Sequence, residues 1–153
     1  MKTIIKHYEM LSKDELYQIL QARAAIFVVE QDCPYQDLDN KDQNAIHVWL
    51  ADDQGIQAYC RVLDRGVTFE EVTIGRVITV KRGAGLGFQL MQEAIATAVK
   101  YYNAESVRIS SQVYAKGFYE KSGFVQDSEE YLEDNIPHIQ MYLRIEDNLP
   151  CID

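Results

Sequence analysis

The chain has 153 residues, 47% of them hydrophobic and 25% charged, with a formal net charge of −9. That length closes one core without disulfide or metal staples, and the composition is that of an ordinary globular protein. The acidic balance argues against nucleic acid as a partner, and no apolar run is long enough to span a membrane. Cys33, Cys60 and Cys151 are odd in number and lack C-x-x-C spacing, the pattern of free thiols in a reduced, cytoplasmic protein. The start Met1-Lys2-Thr3 carries no signal-peptide apolar region. No repeat or linker divides the sequence. One domain over residues 1–153 is expected, with its core over about 3–145 and a loose polar tail from Glu146.

Thr3–Tyr8 reads as a short strand. Ser12 with Glu15 is a capping box, opening a helix through Leu16, Ile19, Leu20 and Phe27. Pro34 requires that helix to end near Gln31. Asp32–Asn44 is a polar, acidic loop. Ala45–Ala51 and Ile56–Leu63 read as two strands turning at Asp52-Asp53-Gln54-Gly55. Asp64-Arg65-Gly66 turns again into a strand over Val72–Val80. Leu86, Leu90, Met91, Ala94, Ile95 and Ala98 then recur at helical spacing. Ser106–Ser111 reads as a strand, and Val113–Lys121 as a short helix with Gly123 as its C-terminal glycine. Phe124–Tyr131 and His138–Ile145 are the closing strands. The expected fold class is α/β (mixed α+β), a central mixed, mostly antiparallel sheet flanked by helices.

Three glycines, Gly83, Gly85 and Gly87, lie between the Val72–Val80 strand and the long helix, with Lys81 and Arg82 at their head. A turn there points several backbone N–H groups the same way. The helix start adds its own unpaired N–H groups at the positive end of the macrodipole. Together these make an anion site, with phosphate the usual occupant. Glycine suits it because a Cβ would hold the phosphate off, and because some positions need positive φ. A plain chain reversal is the competing reading. A dinucleotide fingerprint fails at Phe88, and no Lys-Ser or Lys-Thr pair follows for a P-loop. R-x-x-G-x-G, from Arg82 through Gly85 to Gly87, does fit.

That motif resembles the acyl-coenzyme A loop of the GNAT superfamily of N-acetyltransferases. So does the A-x-x-x-Y-x-x-x-G-F segment formed by Ala115, Tyr119, Gly123 and Phe124. Arg23 through Gln36, reading R-A-A-I-F-V-V-E-Q-D-C-P-Y-Q, is similar to the ElaA-type subgroup, as are Gly75-Arg76-Val77 and Ile136-Pro137-His138. The resemblance implies the GNAT fold, acetyl-coenzyme A as cosubstrate without a metal, and acetyl transfer to a primary amine by direct attack in a ternary complex. It implies that Arg82, Gly83, Ala84, Gly85, Leu86 and Gly87 hold the pyrophosphate. The backbone of Ile78, Thr79 and Val80 would supply the oxyanion donor and pair with the pantetheine amides. Gln112 would contact the coenzyme where relatives carry asparagine. Tyr119 would protonate the departing thiolate, since a phenol stays protonated at neutral pH. Only Lys81 separates Val80 from Arg82, fewer residues than most members have there. A non-catalytic acyl-coenzyme A-binding module of the same fold is the alternative. Its mark would be loss of the glycine loop or of Tyr119, and both are present.

The general base has no single candidate. Glu70 and Glu71 precede the loop on a strand where family members often place a carboxylate, though a solvated strand end is the commoner role for a glutamate. A base acting through water fits equally. His47, beside Val48 and Trp49, suits a buried, hydrogen-bonded role. His138, at the start of a strand lining the family's acceptor cleft, suits substrate contact, as does Glu71. Cys33 acting as nucleophile with His47 would leave the glycine loop idle. The scattered histidines predict no metal site. In the family fold two acidic segments border the acceptor entrance: Asp32, Asp37, Asp39 and Asp42 in one, Glu129, Glu130, Glu133 and Asp134 in the other. They predict a small-molecule or peptide primary amine that arrives protonated, unless they serve only solubility. A homodimer is compatible with the family; nucleic acid and membrane are not expected partners.

Overall fold

The computed structural model describes residues 1–145; the expected loose tail and Cys151 lie outside the described residues. Strands β1 (Lys2–His7), β2 (Ile46–Asp52), β3 (Gly55–Leu63) and β4 (Thr73–Thr79) form an antiparallel sheet in that order. Helix α1 (Lys13–Arg23) covers one face. The Ser12 hydroxyl accepts the Glu15 N–H at 3.0 Å while the Glu15 carboxylate accepts the Ser12 N–H at 2.8 Å. Such a cap is worth about 1 kcal/mol. Helix α2 (Leu86–Tyr102) covers the other face, with Leu90, Met91, Ala94 and Ala98 fully buried. β2 is therefore apolar on both sides. Ile46, Val48 and Leu50 join the core under α2, while Trp49 joins Ile19, Tyr59 and Ile78 under α1.

The chain does not leave α1 at Arg23. It continues as a π-helical run, Ala24–Glu30, in which the Gln31 N–H reaches back five residues to the Ile26 carbonyl at 3.1 Å. β-Branched Ile26, Val28 and Val29 crowd an α-helical turn. The helix thus ends near Gln31 as expected, in a wider form than its spacing suggested.

β5 (Ser106–Gln112) begins a second sheet, followed by α3 (Lys116–Glu120), β6 (Val125–Gln126), β7 (Tyr131–Glu133) and β8 (Ile136–Arg144). β5 and β6 flank β8, and β7 also pairs with β8. The strand expected over Phe124–Tyr131 is broken into β6 and β7. Between them Asp127 donates its N–H to the Gln140 carbonyl, and the Ser128 hydroxyl accepts the Gln140 N–H at 2.8 Å, so a side chain substitutes for the ladder. The helix expected over Val113–Lys121 is a 3₁₀ turn, Val113–Ala115, running into α3.

The expected mixed, mostly antiparallel sheet is thus two antiparallel halves. They meet at one parallel bridge, Val72 with Val107, where the Arg108 N–H donates to the Val72 carbonyl at 3.0 Å. Beyond it β4 and β5 share no ladder, and a wedge opens between them. β4 is also bulged. Arg61 pairs with Gly75 and Tyr59 with Ile78, so Arg76 and Val77 together oppose Cys60. Arg76 takes the extra step in a left-handed conformation, φ +51°. Among the described residues no helix is long and apolar enough to cross a membrane.

Candidate functional site

A cavity of about 440 Å³ occupies the wedge. Thr73–Val77 of β4 form one wall and Ser110 and Gln112 of β5 another, with Phe27 and Gln31 of the π-helical segment closing the side. Of the residues expected at a site, Gln112, Tyr119 and His138 are brought together on this wall. Glu71 is not. It lies off the cavity, with its carboxylate accepting from Arg108 Nε at 3.0 Å.

The glycine loop stands just outside the cavity, at the start of α2. Gly83 and Gly85 have φ +81° and +73°, and Gly85 directly precedes Leu86, the first residue of α2. A Cβ on either would meet nothing within 4 Å. These two glycines are required by backbone conformation, and the space over them is open to a ligand. Gly87 has another reason to be glycine. A Cβ there would lie 2.6 Å from Phe118 Cε1, so it allows α2 to sit tightly on α3. Leu86 is buried in the core, while Ala84 is exposed. Arg82 already has a partner. Its guanidinium donates twice to the Glu30 carboxylate, at 2.6 and 2.7 Å, and that contact raises its pKa and lowers that of Glu30.

At the end of β4, Ile78 is buried opposite Tyr59 and Thr79 is paired with Ala58. The Val80 N–H donates to the Gln57 carbonyl at 2.8 Å. In this fold that N–H is paired with β3.

The Tyr119 ring packs edge-on against Phe118 and Phe124, which is its core role. Its hydroxyl has no hydrogen-bond partner among the described residues, and burial pushes its pKa up, so it stays protonated at neutral pH. The Gln112 amide donates to Gln31 Oε1 at 3.2 Å, linking β5 to the end of the π-helical segment. His138 faces Gln112 across the β5–β8 ladder. Its Nδ1 lies 2.7 Å from the Ile136 carbonyl oxygen, its Nε2 lies 3.4 Å from Glu133 Oε2, and its ring stacks on Tyr131.

His47 has the buried role its strand position suggests. It is fully buried between the Tyr59 hydroxyl at 2.7 Å and the Asp42 carbonyl oxygen at 3.0 Å, and burial pushes its pKa down. Cys33 lies on the cavity wall with its thiol near the Asp134 carbonyl, and His47 does not share that wall.

The acidic loop before β2 is the largest departure from expectation. Asp37, Asp39 and Asp42 do not face a ligand as free carboxylates. They alternate with Arg23, Arg61 and Arg76 in a closed ring. Arg23 holds Asp37 and Asp42 at 3.0 and 2.7 Å; Arg61 holds Asp42 and Asp39 at 3.0 and 2.6 Å; Arg76 holds Asp39 and Asp37 at 3.3 and 2.7 Å. Burial alone would raise the pKa of Asp39. The Arg61 hydrogen bonds and the charges of Arg61 and Arg76 overcome this and hold it well below the carboxylate range. The bulge at Arg76 delivers the third arginine. A signal for the ring was present in the sequence: Arg61 and Arg76 interrupt otherwise apolar strands, where a charge requires a partner. Of the second acidic segment, Glu133 and Asp134 reach the cavity and Glu129 and Glu130 do not.

Comparison with known proteins fits this geometry. The family model for the acetyltransferase (GNAT) domain matches residues 8–145. The chain is 40% identical over 141 residues to the protein ElaA of Escherichia coli, covering 88% of this chain and 91% of that protein. The crystal structure of Escherichia coli ElaA superposes with a TM-score of 0.86 at 37% identity, covering 94% of this chain and 99% of that one. An acyl-CoA N-acyltransferase from Pseudomonas aeruginosa gives the same TM-score at 39% identity and the same coverage. By sequence and by fold, the chain belongs to the GNAT acetyltransferase family and is similar to ElaA.

Proposed function

We propose that the protein transfers the acetyl group of acetyl-coenzyme A to a primary amine, by direct attack within a ternary complex. One observation carries this reading: Gly83 and Gly85, left-handed and open to solvent, precede α2 beside a wedge whose wall holds a free tyrosine hydroxyl. The loop amides and the start of α2 supply the N–H groups for the pyrophosphate, with Arg82 adding charge once it leaves Glu30. Ile78 and Thr79 supply the backbone for the thioester and pantetheine, and Gln112 contacts the coenzyme in place of Gln31. Tyr119 donates its proton to the departing thiolate. His138 meets the acceptor, whereas Glu71 reaches it only by leaving Arg108. The likeness to the Pseudomonas aeruginosa N-acyltransferase supports the same chemistry. Free thiols at Cys33 and Cys60 agree with a cytoplasmic setting.

The acceptor is a cationic amine such as a polyamine, an aminosugar or a lysine-like group. Because the arginine ring neutralises Asp37, Asp39 and Asp42, that preference rests on Glu133 and Asp134. Cationic, neutral and anionic amines are mixed with acetyl-coenzyme A at low and high salt, and thiol release is followed. The cationic amines should show the lowest KM, rising with ionic strength. Coenzyme binding without thiol release from any amine would identify a binding module instead of an enzyme.

A further inference from the structure

His138 and Glu133 carry a chemistry that none of the site's other groups supplies. A carbonyl oxygen only accepts, so the 2.7 Å contact with the Ile136 carbonyl assigns the proton of neutral His138 to Nδ1. The lone pair then sits on Nε2. That nitrogen lies 3.4 Å from the Glu133 carboxylate, which also only accepts. A proton carried on Nε2 would therefore meet a carboxylate able to accept it. The ring is held for that purpose by its stack on Tyr131, and it is 7% exposed, on the same wall as Tyr119. The Glu133 side chain is 52% exposed, so a proton passed along this pair has a way to water.

We infer that His138 Nε2 is the base that takes the proton from the acceptor ammonium, and that Glu133 is the positioning residue that stabilises the resulting imidazolium. The inference rests on the proposed acetyl transfer. The proton count balances. The ammonium gives one proton to Nε2, and Glu133 relays it to solvent. The neutral amine attacks the thioester carbonyl, forming C–N as C–S breaks. The nitrogen's second surplus proton replaces the one that Tyr119 gives to the thiolate. An ammonium and acetyl-coenzyme A become an amide, a thiol and one released proton. Among the described residues, His138 meets the ionisable side chains of Glu133 and Tyr131, both from β7. Asp134 shares the wall, and Asp39, Arg61 and Arg76 are committed to one another.

Nitrogen-15 NMR of the histidine rings tests the geometry without any acceptor. His138 should be Nδ1-protonated at high pH, and E133Q should shift the Nε2 resonance while leaving that of Nδ1 in place. A neutral ring protonated on Nε2, or an Nε2 resonance indifferent to E133Q, would overturn the inference. Kinetics test the catalysis with the best amine of the panel. H138Q should lower kcat/KM at neutral pH by roughly 10²–10⁴-fold and abolish its acid limb, with acetyl-coenzyme A affinity kept. E133Q should move that limb in wild-type His138 to lower pH. Thiol release by wild type, with an unchanged pH profile in H138Q, would remove His138 as the base and leave the proposed transfer standing. No thiol release from wild type would sink the transfer and the base together.

Discussion

The Arg82 guanidinium and the Glu30 carboxylate form a two-pronged contact, at 2.6 and 2.7 Å, between the glycine loop and the end of the π-helical segment. An anionic ligand at the loop competes with that carboxylate. Solvent screens exposed pairs of this kind, so the competition is weak. E30Q should therefore tighten coenzyme A binding by at most about fivefold in low salt, as read by calorimetry. Weaker binding would mean that Glu30 shapes the loop for the coenzyme instead of opposing it.

Gly85→Val places a branched side chain in open space on a backbone with φ +73°. The strain costs about 1–2 kcal/mol and the Cβ obstructs phosphate. The expected outcome is a Tm a few degrees lower and no measurable coenzyme A binding. Gly87→Ala fails differently, because its methyl meets Phe118 next to Tyr119. It should lower kcat while leaving some coenzyme affinity. Matching losses in both variants would contradict the separation of phosphate contact from helix packing.

Tyr119→Phe removes a hydroxyl that makes no hydrogen bond among the described residues, so stability should change by under about 1 kcal/mol. With chemistry limiting, kcat should fall roughly 10²–10⁴-fold with coenzyme affinity intact. Single-turnover measurements isolate that step. An unchanged rate there would leave Tyr119 as a packing residue alone.

The charge ring makes a stability prediction with a definite sign. Arg23 is fully buried between Asp37 and Asp42, so Asp42→Ala leaves a buried cation short of one partner. That should cost about 3–5 kcal/mol in denaturant unfolding. Asp39 and Asp42 have folded-state pKa values below their unfolded ones, and so does His47. For all three the unfolded chain binds protons first, so their contribution is complete at high pH and lost as pH falls. Loss should begin near the ordinary histidine pKa, deepen through the carboxylate range, and continue below it. Urea midpoints between neutral and acid pH should fall in that order. A midpoint rising on acidification would reverse the assignment.

Local signals in the sequence were reliable where the structure is local. The Ser12–Glu15 box, the turn before Gly55, and the glycine run after β4 each fold as their neighbours dictate. His47 was legible for the same reason, since a polar residue inside an apolar strand needs partners. The features that were not legible depend on distant partners. The ring draws Arg23, Arg61 and Arg76 from three elements onto one loop, so its aspartates looked like free surface charge. The bulge at Arg76 has no turn chemistry beyond a neighbouring Gly75, and the side chain's ion pairs hold it in place. The break after Gln126 arises from Asp127 and Ser128 bonding to one residue of β8, a contact that strand periodicity does not report.

The π-helical run also bears on how lengths vary among related chains. A five-residue hydrogen-bond reach accommodates one residue more than an α-helix would over the same path. Deleting a single residue between Ala24 and Glu30 would let the segment relax to α geometry over the same path, turning the side chains beside the deletion and leaving the residues after the segment in place. Glu30 and Gln31, at the far end of the run, would keep the Arg82 contact and the cavity wall. Chains that align here with a one-residue gap should therefore be compared by which side chain fills the wall of the wedge, not by column.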